Sequence, residues 1–256
     1  MDASLRDLIF DLALMIIKAF CYSCFFLIGI LPLTAQVDSG GIKPRKPGRA
    51  AWFACTSLPK GFENPCKVMT GKSVAELEIP RYMASDPVKI PEGGIIRIVR
   101  EVPDPDEPEK IKYLVLAEAK IPGNVRQALI VLMPLPKPKG DLLFTAMVQD
   151  LAGFKGGDRM FINLSNTHIR VKFGPKQVAV APKKVNIYKA PKLKKSTNVP
   201  IMYEFYHPEH KKWRLLTAST VVLRPTRREI NIFNDGTRIG NIRKHKVLFP
   251  LPIKKP

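Results

Sequence analysis

Between residues 159 and 188 the chain repeats one pattern four times. Met160, Ile162 and Leu164 alternate with Arg159, Phe161, Asn163 and Ser165, and Ser165-Asn166-Thr167 reads as a turn. Ile169, Val171 and Phe173 then alternate with His168, Arg170 and Lys172, up to a break at Gly174-Pro175. Val178 and Val180 form a third run; Pro182-Lys183-Lys184 interrupts it, and Val185 and Ile187 form a fourth. A period of two sends successive side chains to opposite faces, so apolar residues on alternate positions predict half-buried strands. The stretch therefore predicts four short antiparallel strands in succession. It constrains the fold class and carries no chemistry of its own.

The rest of the chain follows the same rule. Strand candidates cover residues 50–55, 74–79, 95–102, 111–121, 125–133 and 142–149 before the organising stretch. After it they cover 201–206, 212–216, 220–223, 229–233 and 237–242. The uninterrupted apolar run at 125–133 reads as a central strand, and Pro134-Leu135-Pro136-Lys137-Pro138-Lys139 as a connection, because proline removes a ladder donor. Asn234-Asp235-Gly236 reads as a tight hairpin turn. Nothing after residue 49 has the pattern of a long amphipathic helix. The expectation is an all-β protein, an antiparallel β-sandwich. Gly153, Gly156 and Gly157 make 151–158 either a hinge or a long loop, so the architecture is one sandwich or two sandwich-like lobes, at 50–150 and 159–248.

The N-terminus reads as an address. Lys18 precedes an apolar run that Pro32-Leu33-Thr34-Ala35 closes, which is the layout of a secretory signal peptide cut after Ala35. Asp2, Asp7 and Asp11 suit a signal poorly, so Met15 is the better start. The competing reading is an uncleaved membrane anchor over residues 19–35. Residues 36–49 follow as a flexible basic leader rich in Gly and Pro. Export places the protein in the periplasm, the cell envelope or the medium. It also makes a Cys55–Cys66 disulfide plausible, since oxidising compartments permit one. Cys21 and Cys24 sit in the apolar run with no second ligand pair nearby.

Charge supplies the main functional lead. The chain carries 42 Lys and Arg against 22 Asp and Glu, for a net +20. Residues 1–35 hold two basic and three acidic groups, leaving 40 against 19, or +21, on the remainder. Such an excess attracts anionic partners or simply solvates the surface. Basic residues crowd the C-terminal part, where Lys192, Lys194, Lys195, Arg227, Arg228, Arg243 and Lys244 are the candidate polyanion contacts. Tyr203, Phe205, Tyr206 and Trp213 interleave with them, as in single-strand nucleic-acid grooves. In an exported protein, acidic glycans and other envelope polyanions are the more available partners than nucleic acid. A protein partner is the other expectation, and membrane contact only through an uncleaved N-terminal segment.

Signals for catalysis or cofactors are missing. The chain has no Gly-x-Ser-x-Gly elbow, and Gly71-Lys72-Ser73 lacks the first glycine of a phosphate loop. Asp104, Asp106, Glu107 and Glu109 lie among three prolines without EF-hand spacing and read as a solvated connection. His207, Glu209 and His210 are metal-binding residue types, but Pro208 makes the segment a turn rather than a zincin helix. Asn163-Leu164-Ser165 matches a glycosylation sequon inside a strand pattern. No catalytic residue, metal or cofactor is assigned. Glu76, Glu78, Glu118 and Glu204 lie on strand candidates and keep open the alternative of an exported enzyme, such as a glycan hydrolase, whose carboxylates meet only in the fold.

Residues 161–165 with the alternating strand 168–173 resemble a pattern in secreted bacterial β-sandwich domains, one of them in an accessory protein of alginate acetylation. The resemblance covers about residues 159–190 and implies an extracytoplasmic, non-enzymatic β module. It carries over no functional residue. The expected function is an exported non-catalytic structural or binding protein for an anionic polymer or a protein partner.

Overall fold

The computed structural model describes residues 48–238 and 240–251. The signal segment, the Met15 start, Cys21, Cys24 and the leader up to residue 47 lie outside the described residues. The described chain is all β. Eight strands precede the glycine loop: β1 (Ala50–Cys55), β2 (Cys66–Thr70), β3 (Ser73–Leu77), β4 (Val88–Lys89), β5 (Ile95–Pro103), β6 (Ile111–Lys120), β7 (Gln127–Lys139) and β8 (Leu142–Asp150). Eight follow it: β9 (Arg159–Asn163), β10 (Ile169–Phe173), β11 (Lys176–Val180), β12 (Val185–Tyr188), β13 (Thr197–His207), β14 (Lys212–Leu223), β15 (Arg227–Asp235) and β16 (Ile242–Pro250).

The two sets have one topology. The first forms sheets β4-β1-β7-β8 and β3-β2-β5-β6; the second forms β12-β9-β15-β16 and β11-β10-β13-β14. Adding eight to each strand number turns the first pair of sheets into the second. Strand directions agree as well. β1 runs parallel to β7 and β9 parallel to β15, while every other named pair is antiparallel. One ladder irregularity corresponds too. The ladder slips between Ile98 and Val99 in β5–β6, and between Tyr203 and Glu204 in β13–β14. Gly71 and Gly174 open the β2–β3 and β10–β11 turns with φ of 67° and 50°, where a Cβ is disfavoured.

Three apolar clusters fill the structure. One lies between the first two sheets and contains Phe53, Ile98, Leu116, Ile130 and Phe144. A second lies between the last two and contains Phe161, Phe173, Tyr203, Phe205 and Phe233. The third joins the halves. Ala54, Leu129 and Val131 meet Met160, Ile162, Ile230, Ile232, Val247 and Phe249. Neighbouring residues of β1, β7, β9 and β15 thus enter different clusters, so these strands are buried on both faces. That explains the unbroken apolar reading of 125–133: a strand covered on both sides has no polar face to alternate with. A further tie is the segment around Met83, which bridges Leu248 of β16 and bonds through Ala84 N to Leu248 O at 3.0 Å.

Strand pairing departs from what alternation alone predicts. Residues 159–188 form four strands, but not four neighbours in one sheet. Only β10 and β11 make a hairpin; β9 pairs β12 and, in parallel, β15. Periodicity reports which face a residue takes and is silent on the partner strand. The proline-rich stretch 134–139 belongs to β7, with the ladder to β8 skipping from Pro134 to Lys139. Residues 212–223 are one strand, not two. Asp235-Gly236 does not close a tight hairpin either. Gly236 N bonds Asn241 O at 2.6 Å, and the strand resumes only at Ile242.

Candidate functional site

Glycine builds the first candidate site. A Cβ on Gly156 would stand 1.7 Å from Pro225 O, and one on Gly157, at φ 86°, would stand 2.4 Å from Leu193 Cδ1. Only bare backbone lets the loop 151–158 lie this close to both the β14–β15 turn and the segment after β12. Asp158, 3% exposed, then fastens them. Its carboxylate accepts the amides of Lys155 and Ala190, each at 2.9 Å, and pairs with Lys189 Nζ at 3.3 Å. Lys189 Nζ also donates to Gly153 O.

The product is an open groove of about 740 Å³, lined by Lys155, Lys189, Lys192, Gly156, Leu193 and Pro225 among others. Lys155, Lys189 and Lys192 are exposed, and Lys194 and Lys195 follow Leu193 on the same exposed segment. Arg224 and Arg227 flank Pro225 and Thr226, and Gly157 N bonds Arg227 O at 2.9 Å. Seven cations therefore gather at one end of the second half. Asp158 is the one carboxylate in the groove lining, and it is already tied to two amides and an ammonium. Sequence reading marked Lys192, Lys194, Lys195 and Arg227. The basic clusters 189–195 and 224–228 also took in Lys189 and Arg224. Lys155 was missed, because nothing in a sequence shows that loop 151–158 folds back on residues 189–195.

Three other expected contacts do not join this surface. Arg228 is buried. Its guanidinium lies 3.9 Å above the Phe249 ring, and Nη1 donates to Phe154 O at 3.1 Å. Burial holds its pKa down to about 10, so it remains charged at neutral pH, spent on aromatic faces between the halves. Arg243 and Lys244 pair with Asn234 and Phe233, at the far end of β15 from Arg227. Seven residues of strand separate the two ends, roughly 23 Å at 3.3 Å per residue. Lys244 is also turned inward, with Nζ 4.0 Å from the Tyr203 ring centroid, and burial lowers its pKa.

Beneath Lys244 lies a polar centre with no sequence signature. Arg159 Nη1 pairs with Glu229 Oε1, with side-chain exposures of 3% and 8%. Asn231 Nδ2 donates to the same oxygen at 3.2 Å, and Tyr203 Oη donates to Asn231 Oδ1 at 3.4 Å. Burial raises the Tyr203 pKa further above the phenol range. Arg159 and Glu229 are register partners on β9 and β15. The matching strands of the first half, β1 and β7, place Ala51, Phe53 and Cys55 beside Ala128, Ile130 and Leu132. Pairing geometry is shared, but only the second half has a charged core.

The cysteines depart from expectation. Cys55 and Cys66 are free, buried thiols on strands of different sheets. Cys55 Sγ donates to Ser57 O at 2.8 Å, and Cys66 Sγ to Leu77 O at 3.4 Å. Burial pushes both thiols up to about 11, away from reactive thiolate. Asn163 is likewise structural: its Nδ2 donates to Thr167 O, Val180 O and Ala181 O, and its Oδ1 accepts from Ser165, with no exposed surface. Tyr203 and Phe205 are core residues, and Trp213 is 37% exposed with Arg170 4.1 Å above its ring.

The four strand carboxylates are not brought together. Glu78 lines one cavity and Glu118 another, where it pairs with Arg97 at 2.7 Å. Glu76 is exposed on β3. Glu204, on a different sheet, accepts from Arg170 at 2.6 Å and Lys172 at 3.1 Å, which holds it below the usual carboxylate range. No known protein-family model matches the chain, and no curated protein aligns with it.

Proposed function

We propose that this is an exported, non-catalytic protein of two β-sandwich lobes that holds an acidic glycan or another envelope polyanion at the basic end of its second lobe. One observation carries the reading: Lys155, Lys189 and Lys192 line an open groove whose single lining carboxylate is buried and neutralised, and Lys194, Lys195, Arg224 and Arg227 adjoin its lining along the chain. Cations that lack local anions keep their field for a ligand, and an open groove admits a chain rather than a small molecule. The signal-like segment at 1–35 supplies the compartment in this reading, and the likeness of residues 159–190 to secreted β-sandwich domains agrees with it.

The test is chromatography of envelope components on the immobilised protein, eluted with salt. Retention of acidic glycans should fall steeply between about 0.1 M and 1 M salt, as the screening length shrinks from about 10 Å to about 3 Å. Lys192→Glu/Lys194→Glu/Lys195→Glu should abolish it, whereas Arg243→Glu, at the far end of β15, should leave it unchanged. Retention that ignores the triple reversal, or none at low salt, would overturn the assignment.

A further inference from the structure

The β13–β14 hairpin brings three metal-ligating side chains together at the opposite end of the second half. β13 ends at His207, β14 begins at Lys212, and the two residues are register partners. Pro208 and a left-handed Lys211, φ 47°, turn the four-residue connection sharply. The turn folds His207, Glu209 and His210 over one another, so that one ligand atom from each lies within 4.8 Å of the other two. The imidazole centroids are 4.4 Å apart.

His207 is set in place rather than loose. It is 5% exposed, and its ring packs against Gly240, where a Cβ would stand 2.1 Å from Nε2. Gly240 has φ 69° and presents bare backbone to the ring at that point. His207 Nδ1 accepts the His210 amide at 3.4 Å. That bond is long and weak, so a cation at Nδ1 displaces it at little cost. Glu209 and His210 are exposed and free to rotate. Zinc-class metals hold imidazole nitrogen and carboxylate oxygen at about 2.0–2.2 Å, which places ligand atoms roughly 3.5 Å from one another in a tetrahedron. Rotation of the two exposed side chains closes a gap of about 1 Å from the present spacing.

We propose that His207 Nδ1, Glu209 and His210 form a binding site for a late first-row divalent cation of the Zn²⁺ or Ni²⁺ kind. Two imidazoles and one carboxylate suit those metals and not Mg²⁺ or Ca²⁺, which take oxygen cages. Three protein ligands leave a position for water or an external donor. Lys211, Lys212 and Arg214 stand nearby and oppose a loosely held cation, so the site depends on covalent character in the imidazole bonds. This site is independent of the basic groove.

The experiment is calorimetric titration of the full chain, carrying Cys21→Ser and Cys24→Ser to remove thiol ligands, with Ni²⁺ and with Zn²⁺. Trp213 emission is read in parallel, since Trp213 packs edge-on to Tyr206 at 5.7 Å beside the hairpin turn. One cation should bind per chain, Ni²⁺ should quench part of the emission, and Ca²⁺ should give no heat. His210→Ala alters an exposed side chain and should weaken binding by at least about tenfold, the loss that even an outer-shell change produces. Glu209→Gln should weaken it less. Absence of binding by both metals, or an affinity indifferent to His210→Ala, would overturn the site.

Discussion

Replacing Arg159 by Met leaves Glu229 buried with its main partner gone. Asn231 Nδ2 at 3.2 Å and the charge of Lys244 remain, and neither replaces a guanidinium in direct contact. Breaking a buried pair from one side costs about 3–5 kcal/mol, because an uncompensated charge stays behind. Glu229→Leu should cost a similar amount by stranding Arg159, whose Nε already lacks a partner. For a protein of this size each kcal/mol moves the melting temperature by about 2–4 °C, so either single change should lower it by roughly 6–20 °C. The double variant Arg159→Met/Glu229→Leu removes both charges and makes the site resemble the apolar β1–β7 pair. It should recover most of the loss, since apolar replacement of a whole buried pair is often neutral or stabilising. Recovery stops short of complete, because Lys244 loses the charge that favours its ammonium; adding Lys244→Met should close the gap. Urea unfolding followed by tryptophan emission and circular dichroism measures all four variants. Single variants that cost under about 1 kcal/mol, or a double variant no better than its parents, would refute the assignment of this cluster as a mutually dependent charge set.

Other outcomes follow from single contacts. Gly156→Ala forces backbone away from Pro225 O, so it should lower stability by at least about 2 kcal/mol and weaken glycan retention together; retention unchanged at lowered stability would separate groove from loop. Cys55 and Cys66 should resist alkylation in the folded protein at pH 8 and react on unfolding without reductant, read by peptide mass mapping; a linked peptide pair would restore the disulfide. His245, stacked on Tyr82 with its Nε2 2.7 Å from Arg81 O, has its pKa lowered chiefly by burial. The unfolded chain then binds the proton more readily, so its contribution is full above the unfolded value of about 6.5 and declines as pH falls below it. Thermal melts from pH 7.5 to pH 5 should show this decline, and His245→Gln should flatten it.

Class and strand content were legible because alternation is local. Met160, Ile162, Ile169, Val171 and Phe173 announce their strands from their immediate neighbours alone. Partnership was not legible. β9 and β15 share a register although Arg159 and Glu229 lie 70 residues apart, and no local pattern ties them. The same limit applied to the site. Lys192, Lys194 and Lys195 stand out as a cluster, but Lys155 joins them only because Gly156 and Gly157 let two segments touch. Arg228 and Lys244 look in sequence like any surface cation, and are withdrawn by Phe249 and Tyr203, residues remote along the chain.

The third apolar cluster makes each half unfit to stand alone. Cut free, residues 50–150 would bare Trp52, Leu129 and Val131, and residues 159–250 would bare Met160, Ile162, Ile230, Ile232 and Phe249, all on the outer faces of sheets that cannot turn inside out. Such a fragment has one ready way to keep that face dry, which is to lay it on another fragment of the same topology. The chain as it stands is therefore a dimer of like units held on one string, and a nick in 151–158 should yield two pieces that stay together.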